Sequence, residues 1–141
     1  MGIPSTCNRL CRRLVAGCAV TVLLAGCGGG GENSQLAVRS TLVRFASAVA
    51  KHEYHELCTA LLAASLTAKL AQIGLPCERA LATGLARAHD PQLVVRSVRV
   101  QGRSASAVVY TTASNQPASQ DTLQLIEVGT SWRISSLGSS P

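Results

Sequence analysis

Aromatic side chains are scarce in this sequence of 141 residues, where they make up 3% of the chain as one Phe, one Trp and two Tyr. Proteins that bind nucleic acid usually stack bases on such side chains or present a basic stripe. From residue 27 onward, the ten basic residues are spread from Arg39 to Arg133 without a cluster, and seven acidic residues leave a net charge of +3. The sequence therefore predicts no nucleic-acid partner.

The chain also lacks an apolar run long enough to cross a membrane as a helix. Its most apolar stretch, Leu14–Ala25, has twelve residues, whereas a membrane-spanning helix needs about 20. Arg9, Arg12 and Arg13 precede this stretch. A basic start followed by a short apolar core is typical of an export signal.

This stretch ends in LAGC, Leu24–Cys27, which matches the lipobox of bacterial lipoprotein signals position for position. The resemblance implies that the Cys27 thiol receives a diacylglycerol and that cleavage makes Cys27 the new N-terminus. We expect residues 1–26 to be a signal peptide, and the lipid to hold the protein on the extracytoplasmic face of a cell membrane. A second box, VAGC at Val15–Cys18, lies too close to the arginines to leave an inserting segment.

Other interpretations of the leader, residues 1–26, stay open at this point. It can be an uncleaved membrane anchor or a plain secretory signal. Twin-arginine export has little support, since CRRLVA, Cys11–Ala16, lacks most of that pattern.

The residues after Cys27 are glycines and short polar residues as far as Ser34. They have no apolar side chain to bury and a flexible backbone, so residues 27–34 are predicted to be the acylated cysteine and a tether. A phosphate-binding loop is excluded, because no strand precedes the glycines and no Gly-Lys-Ser/Thr follows them. The folded domain is predicted to span residues 35–138.

Four helices are predicted in the first half of this domain. Val38, Leu42, Phe45 and Val49 are four, three and four residues apart, which is the spacing of one helix face, and Ser34 is a suitable N-cap. Three further helices are predicted by the same period at Tyr54–Leu62, at Ser65–Gly74 and from Pro76 to Arg87.

Beyond Pro91 the apolar period changes from helical to two. Two hairpins are predicted, around Gly102 and Gly129, joined by a polar loop at Ser114–Gln120. Helices followed by antiparallel strands define the α+β fold class. The predicted strands are Leu93–Gln101, Ser104–Thr112, Thr122–Val128 and Ser131–Leu137.

Four features of the sequence resemble the nuclear-transport-factor-2-like lipoproteins of high-GC bacteria. They are the order of helices and strands, the LC pair at Leu57 and Cys58, a second cysteine, Cys77, at the start of a later helix, and the terminal EVGTSWRISSL at Glu127–Leu137. The resemblance covers residues 36–137. It implies N-terminal helices packed on a bent four-stranded antiparallel sheet that forms a cone. The fold also hosts enzymes, the ketosteroid isomerases and scytalone dehydratase, which place an acid, a histidine or a tyrosine inside the cone.

The stretch KHEYHELC at Lys51–Cys58 is the richest in potential metal ligands. A helical zinc site of the His-Glu-x-x-His type needs histidines four residues apart, whereas His52 and His55 are three apart. No Gly-x-Ser-x-Gly nucleophile elbow is present. The sequence therefore predicts no metal site and no cofactor.

Every carboxylate falls in the tether, at a predicted helix end or at a loop edge, and none is predicted mid-strand on an inward face. We therefore expect no catalytic residue, and a non-catalytic domain that binds a small apolar ligand or another protein. A small isomerase-like or dehydratase-like enzyme is the alternative. Tyr54, Tyr110 and Trp132 are the candidates either to line the cone cavity or to fill it.

Two cysteines, Cys58 and Cys77, remain once the signal is removed and Cys27 is acylated. An exported chain matures outside the reducing cytosol, where paired thiols are usually oxidised. The helical pattern turns both residues toward the interior. A disulfide is predicted between them, and two buried free thiols are the alternative.

We predict that Cys27 is the acylated N-terminus of the mature protein. Protein extracted from membranes should have the intact mass of a lipid-modified chain that begins at Cys27, and Cys27→Ala should leave the precursor uncleaved because the thiol that is modified is gone. A chain that begins before Cys27, or an unacylated form found wholly in the medium, would contradict the assignment.

Overall fold

The structure, a computed structural model, describes residues 29–138. The predicted signal peptide, residues 1–26, and the predicted lipidation site, Cys27, lie outside the described residues. Within the described part, helical segments come first and four strands follow, in agreement with the α+β prediction. No helix among these residues is long and apolar enough to span a membrane.

Helix α1, Gly29–Ala50, begins five residues before the predicted cap at Ser34. Residues 29–34 are therefore helical, which corrects the flexible backbone predicted for that part of the tether. Residues 27 and 28 lie outside the described residues. Once a helix has formed, each added residue gains a hydrogen bond, and Glu32 in the first turn complements the partial positive charge there. Val38 and Leu42, which follow the predicted spacing, are completely buried.

The predicted second helix is a short helix α2, Tyr54–Glu56, that continues as a π-helical turn over Leu57–Leu61. The wider turn is closed by a hydrogen bond from the Leu62 amide to the Leu57 carbonyl at 2.8 Å. Ala63 then donates to the Ile134 carbonyl at 2.8 Å and so pairs with the last strand. This pairing covers part of an otherwise open sheet edge.

Two further helices complete the first half, α3 at Ala64–Gln72 and α4 at Cys77–Leu85. Helix α3 ends before Gly74, whose φ of 74° is the left-handed conformation predicted for it. None of the α3 residues is fully buried, whereas Leu81 of α4 belongs to the core. Helix α3 is thus peripheral, and α4 is part of the packed interior.

The sheet is an antiparallel meander in which each strand pairs with the next along the chain. Bulges interrupt the register at Arg96, near Thr112 and at Ser135, and such insertions bend a strand locally. The strands are β1 at Gln92–Gln101, β2 at Ser104–Ala113, β3 at Gln116–Val128 and β4 at Ser131–Ser136.

The predicted loop at Ser114–Gln120 is wrong, because β3 already begins at Gln116. Ser114 and Asn115 form a tight turn that is held by the segment between α4 and β1. The Ser114 amide donates to the His89 carbonyl at 2.8 Å, and the Asn115 side-chain amide donates to the Arg87 carbonyl at 2.6 Å. These tertiary hydrogen bonds order polar residues whose composition resembles a loop.

The core lies between the inner face of the sheet and the helices, and it is mostly aliphatic. Trp132, 5% exposed, is the only aromatic residue among its buried members within residues 29–138. Burial of such side chains supplies the main driving force for folding. The largest fully buried side chains are Val38, Leu42, Leu57, Leu61, Leu62, Val109, Leu125 and Ile134.

A disulfide joins Cys58 in the π-helical turn to Cys77 at the first position of α4, as predicted. The bond closes a loop with a sequence separation of 19 that contains α3. It therefore holds the N-terminal end of α4 against the core.

We predict that loss of this disulfide destabilises the domain by ~3 kcal/mol, because a loop of this length gains that much entropy in the unfolded chain. The double variant Cys58→Ser/Cys77→Ser and the reduced wild-type protein should show matching losses in urea unfolding. Alkylation of the exported protein should label neither cysteine until reductant is added. Labelling of both under denaturing, non-reducing conditions would show that the bond does not form in the cell.

Candidate functional site

A cavity of about 290 Å³ opens between α1, α4 and the inner face of the sheet. This volume lies just below the roughly 300–1,000 Å³ typical of small-molecule sites. Helix α1 and helix α4 form two apolar walls, and strands β2 and β3 form the third. The principal apolar lining residues are Phe45, Val49, Leu81, Leu85, Val109 and Leu123.

Asp121 is the one ionisable side chain that lines this cavity within the described residues. It lies within β3, opposite Val109 of β2, on the same face as the buried Leu123. The expectation that no carboxylate lies mid-strand on an inward face is therefore wrong for Asp121. The error followed from the loop predicted at Ser114–Gln120, which made Asp121 a loop-edge residue.

The sequence did carry a signal for Asp121. Inward positions recur every second residue along a strand, so counting back from Leu125 and Leu123 reaches Asp121 and then Ser119. The outward position between them is Gln120, which is exposed. The period of two continues through residues whose polarity had suggested a loop.

A chain of side-chain hydrogen bonds leads to the Asp121 carboxylate. The Ser119 hydroxyl donates to Asp121 Oδ2 at 2.7 Å, and the Thr111 and Ser119 hydroxyl oxygens are 2.8 Å apart. Ser119 has a single hydroxyl hydrogen, which is used toward Asp121. Thr111 must therefore be the donor to Ser119, so that both hydroxyl hydrogens point along the chain toward the carboxylate.

Polarity changes stepwise along the β2–β3 hairpin. The cross-strand pairs on the inner face are Thr111 with Ser119, then Val109 with Asp121, and then Ala107 with Leu123. The first pair is polar and exposed or half-buried, whereas Ala107 and Leu123 are buried. The cavity thus has a polar mouth and an apolar floor.

The aromatic candidates for lining the cone lie elsewhere. Trp132 is buried in the core, and Tyr110 lies on the outer face of β2, with the Arg96 guanidinium carbon 5.2 Å from its ring centroid. Tyr110 alternates with the inward Val109 and Thr111, which explains its position. The Tyr54 hydroxyl is 2.9 Å from Nδ1 of His52, at a separate surface depression.

The histidines of the KHEYHELC stretch take different partners. His52 contacts Tyr54, and Nδ1 of His55 is 2.9 Å from the Glu78 carboxylate on α4. His52, with a φ of 58°, lies in the turn between α1 and α2, whereas His55 lies in α2, so the two histidines do not share one helix. Within residues 29–138, no group of three or more His, Cys, Asp or Glu side chains is arranged to hold a metal ion.

Comparison with known proteins identifies the fold. No protein-family model and no curated protein sequence matches the chain. A nuclear-transport-factor-2-like protein of unknown function from Silicibacter pomeroyi superposes with a TM-score of 0.54 at 17% identity. A putative dehydratase of the nuclear-transport-factor-2-like family from Streptomyces avermitilis gives 0.51 at 14% identity. Each comparison covers 73% of this chain and 91% of the other.

The domain therefore has the α+β nuclear-transport-factor-2-like fold that the resemblance implied, with helices packed on a four-stranded antiparallel sheet. Identities this low show the fold alone. Because one fold hosts many functions, the function must be argued from the cavity.

We predict that the melting temperature of the protein does not change in a strong chelator. The histidines of Lys51–Cys58 contact Tyr54 and Glu78. If they held a structural metal instead, its removal would lower the stability of the folded domain. Thermal unfolding with and without EDTA measures the difference. A large drop that His52→Ala abolishes would show that a metal is bound there.

Proposed function

We propose that this protein is a lipid-anchored domain of the cell envelope that binds a small, largely apolar molecule in its cavity, without catalysis. The observation that carries this proposal is the open apolar cavity between α1, α4 and the sheet. Concave, mostly apolar sites with a few polar groups at one end are the usual form of small-molecule sites. A partner protein is the less favoured occupant, since a site of about 290 Å³ suits a small molecule.

The leader supports the membrane part of the proposal. Cys27 follows a basic start, a short apolar core and small residues, as a lipidated cysteine would. Helix α1 begins at Gly29, two residues later. At no more than about 3.6 Å per extended residue, this linkage would hold the folded domain against the outer surface of the membrane rather than on a long tether.

An enzyme is the second candidate, and Asp121 is the observation that favours it. A carboxylate beside an apolar cavity is a suitable general base. Dehydration and isomerisation, however, each require a proton to leave one atom and a proton to reach another. Asp121 would have to serve both transfers, because no second ionisable side chain lines the cavity in the described part of the chain. Binding alone requires no such second group.

We predict that octan-1-ol binds in the cavity and that Ala46→Phe weakens its binding at least about tenfold. Ala46 lines the cavity from α1, so a phenyl ring there would occupy the space of the ligand. The full-length protein, as expressed, is titrated by calorimetry in phosphatidylcholine nanodiscs, and empty nanodiscs serve as the blank. Burial of the alkyl chain should give a negative heat-capacity change.

The matched control is Ala71→Phe, which adds the same ring at an exposed position of α3 that does not line the cavity. This variant should bind octan-1-ol as the wild type does. Equal binding by wild type and Ala46→Phe would place the ligand elsewhere and refute the proposed site. Turnover of a hydroxylated ligand that is lost in D121N would instead support the enzyme.

A further inference from the structure

We infer that helix α1 lies flat on the membrane that holds the lipid anchor, with the sheet on the far side of the helix. The inference rests on the anchor at Cys27, which is part of the proposed function. It adds the surface that faces the bilayer and the orientation of the domain. This surface, the exposed α1 face, consists of Leu36, Ser40, Val43, Ser47 and Ala50.

The first argument comes from the two sides of α1. Val38 and Phe45 turn one side of the helix toward the core. Leu36 and Val43 are two turns apart on the opposite side, where they are 65% and 66% exposed. The residues between them on this side are short serines, so no long polar side chain covers the two aliphatic ones. Removal of this apolar surface from water would be favourable.

The second argument comes from the place where the anchor joins the chain. Cys27 precedes the first residue of α1, Gly29, by two residues, which span no more than about 7 Å. The N-terminal end of α1 would therefore lie at the membrane surface. Val43 is fourteen residues further on, or about 21 Å along the helix axis. An upright helix would hold Val43 in water, whereas a flat helix brings Leu36 and Val43 to the bilayer together.

The third argument comes from charge. Arg39 and Lys51 lie on the flanks of the exposed α1 face, and the side chain of neither has a hydrogen bond or an ion pair within residues 29–138. Glu32 in the first turn is the acidic residue on this side of the helix, which leaves one positive charge in excess. Long basic side chains can extend past apolar residues to lipid phosphates, and anionic lipids attract them.

The anchor also explains why a face with two aliphatic side chains is sufficient. The lipid already holds α1 at the bilayer, so contact between the helix and the membrane is an intramolecular step that needs no affinity of its own for free vesicles. A second copy of the chain would first have to meet the exposed α1 face by diffusion. The bilayer is therefore the partner that this face fits.

The test places a nitroxide spin label at three positions of the exposed α1 face that are seven residues apart, in the variants L36C, V43C and A50C. Because Cys58 and Cys77 form the disulfide, the introduced thiol is the one available for labelling in the acylated mature protein. The full-length lipoprotein is placed in vesicles of phosphatidylcholine and phosphatidylglycerol. Label depth is measured by collision with oxygen, which concentrates in the bilayer, and with a nickel complex that stays in water.

We expect the three labels at similar depths, about 5–10 Å below the head groups, as for other helices that lie in a membrane surface. An upright helix would instead move the label outward by about 10 Å at each step. The control label is Q120C, at an exposed position on the outer face of β3. It should collide with the nickel complex, because the sheet lies beyond α1 from the membrane.

A charged variant tests the face itself. V43D should expose the label of A50C to the nickel complex, because a carboxylate is expelled from the apolar layer. The matched control is V94D, which makes the same substitution at a 49% exposed valine on the outer face of β1. The label of A50C should keep its depth in V94D.

A stepwise rise in collisions with the nickel complex from L36C to A50C, in protein that stays on the vesicles, would overturn the flat orientation and leave the anchor intact. Strong spin–spin coupling at V43C, without contact with lipid, would show that a second copy covers the exposed α1 face and would also overturn the inference. Protein that does not stay on the vesicles would refute the anchor, which belongs to the proposed function.

Discussion

The site depends on one set of hydrogen bonds, those that hold the turn at Ser114 and Asn115 against the end of α4. Ser114 donates to the carbonyl of His89, and Asn115 donates to that of Arg87. Because the turn is held there, β3 begins directly after it and pairs with β2 along its length. That pairing sets the register that places Asp121 opposite Val109. Without these ties, the polar residues before Asp121 would have little reason to be ordered.

The same contacts fix one end of helix α4, and the disulfide fixes the other. Cys77 is the first residue of α4 and is bonded to Cys58, while the chain just beyond its last residue accepts the bonds from the β2–β3 turn. Between these two points, Leu81 and Leu85 face the cavity. A nine-residue helix would be marginal alone. Fixed at both ends, it serves as a wall of the cavity.

Local patterns predicted most of this fold, and the failures occur where tertiary contacts decide. The helical period of α1 and the turns at Gly102 and Gly129, with φ of 58° and 62°, were predictable because each depends on nearby residues. The π-helical turn was not predictable, because it follows no simple repeat of apolar residues. The start of β3 was not predictable either, because it depends on contacts with residues about 25 positions away in the sequence. Asp121 was missed as a consequence of the second failure.

The scarcity of aromatic residues explains why the cone is open where it is. Aromatic rings are the largest apolar side chains available to fill a core. Trp132 lies on β4, so its ring fills the part of the core next to the last strand. The hairpin of β2 and β3 carries only small or aliphatic residues and short polar ones on its inward face. Phe45 on α1 is the single aromatic residue in the cavity lining within the described chain, and it forms part of the wall. Unfilled apolar space costs stability, and binding of the proposed ligand would offset part of that cost.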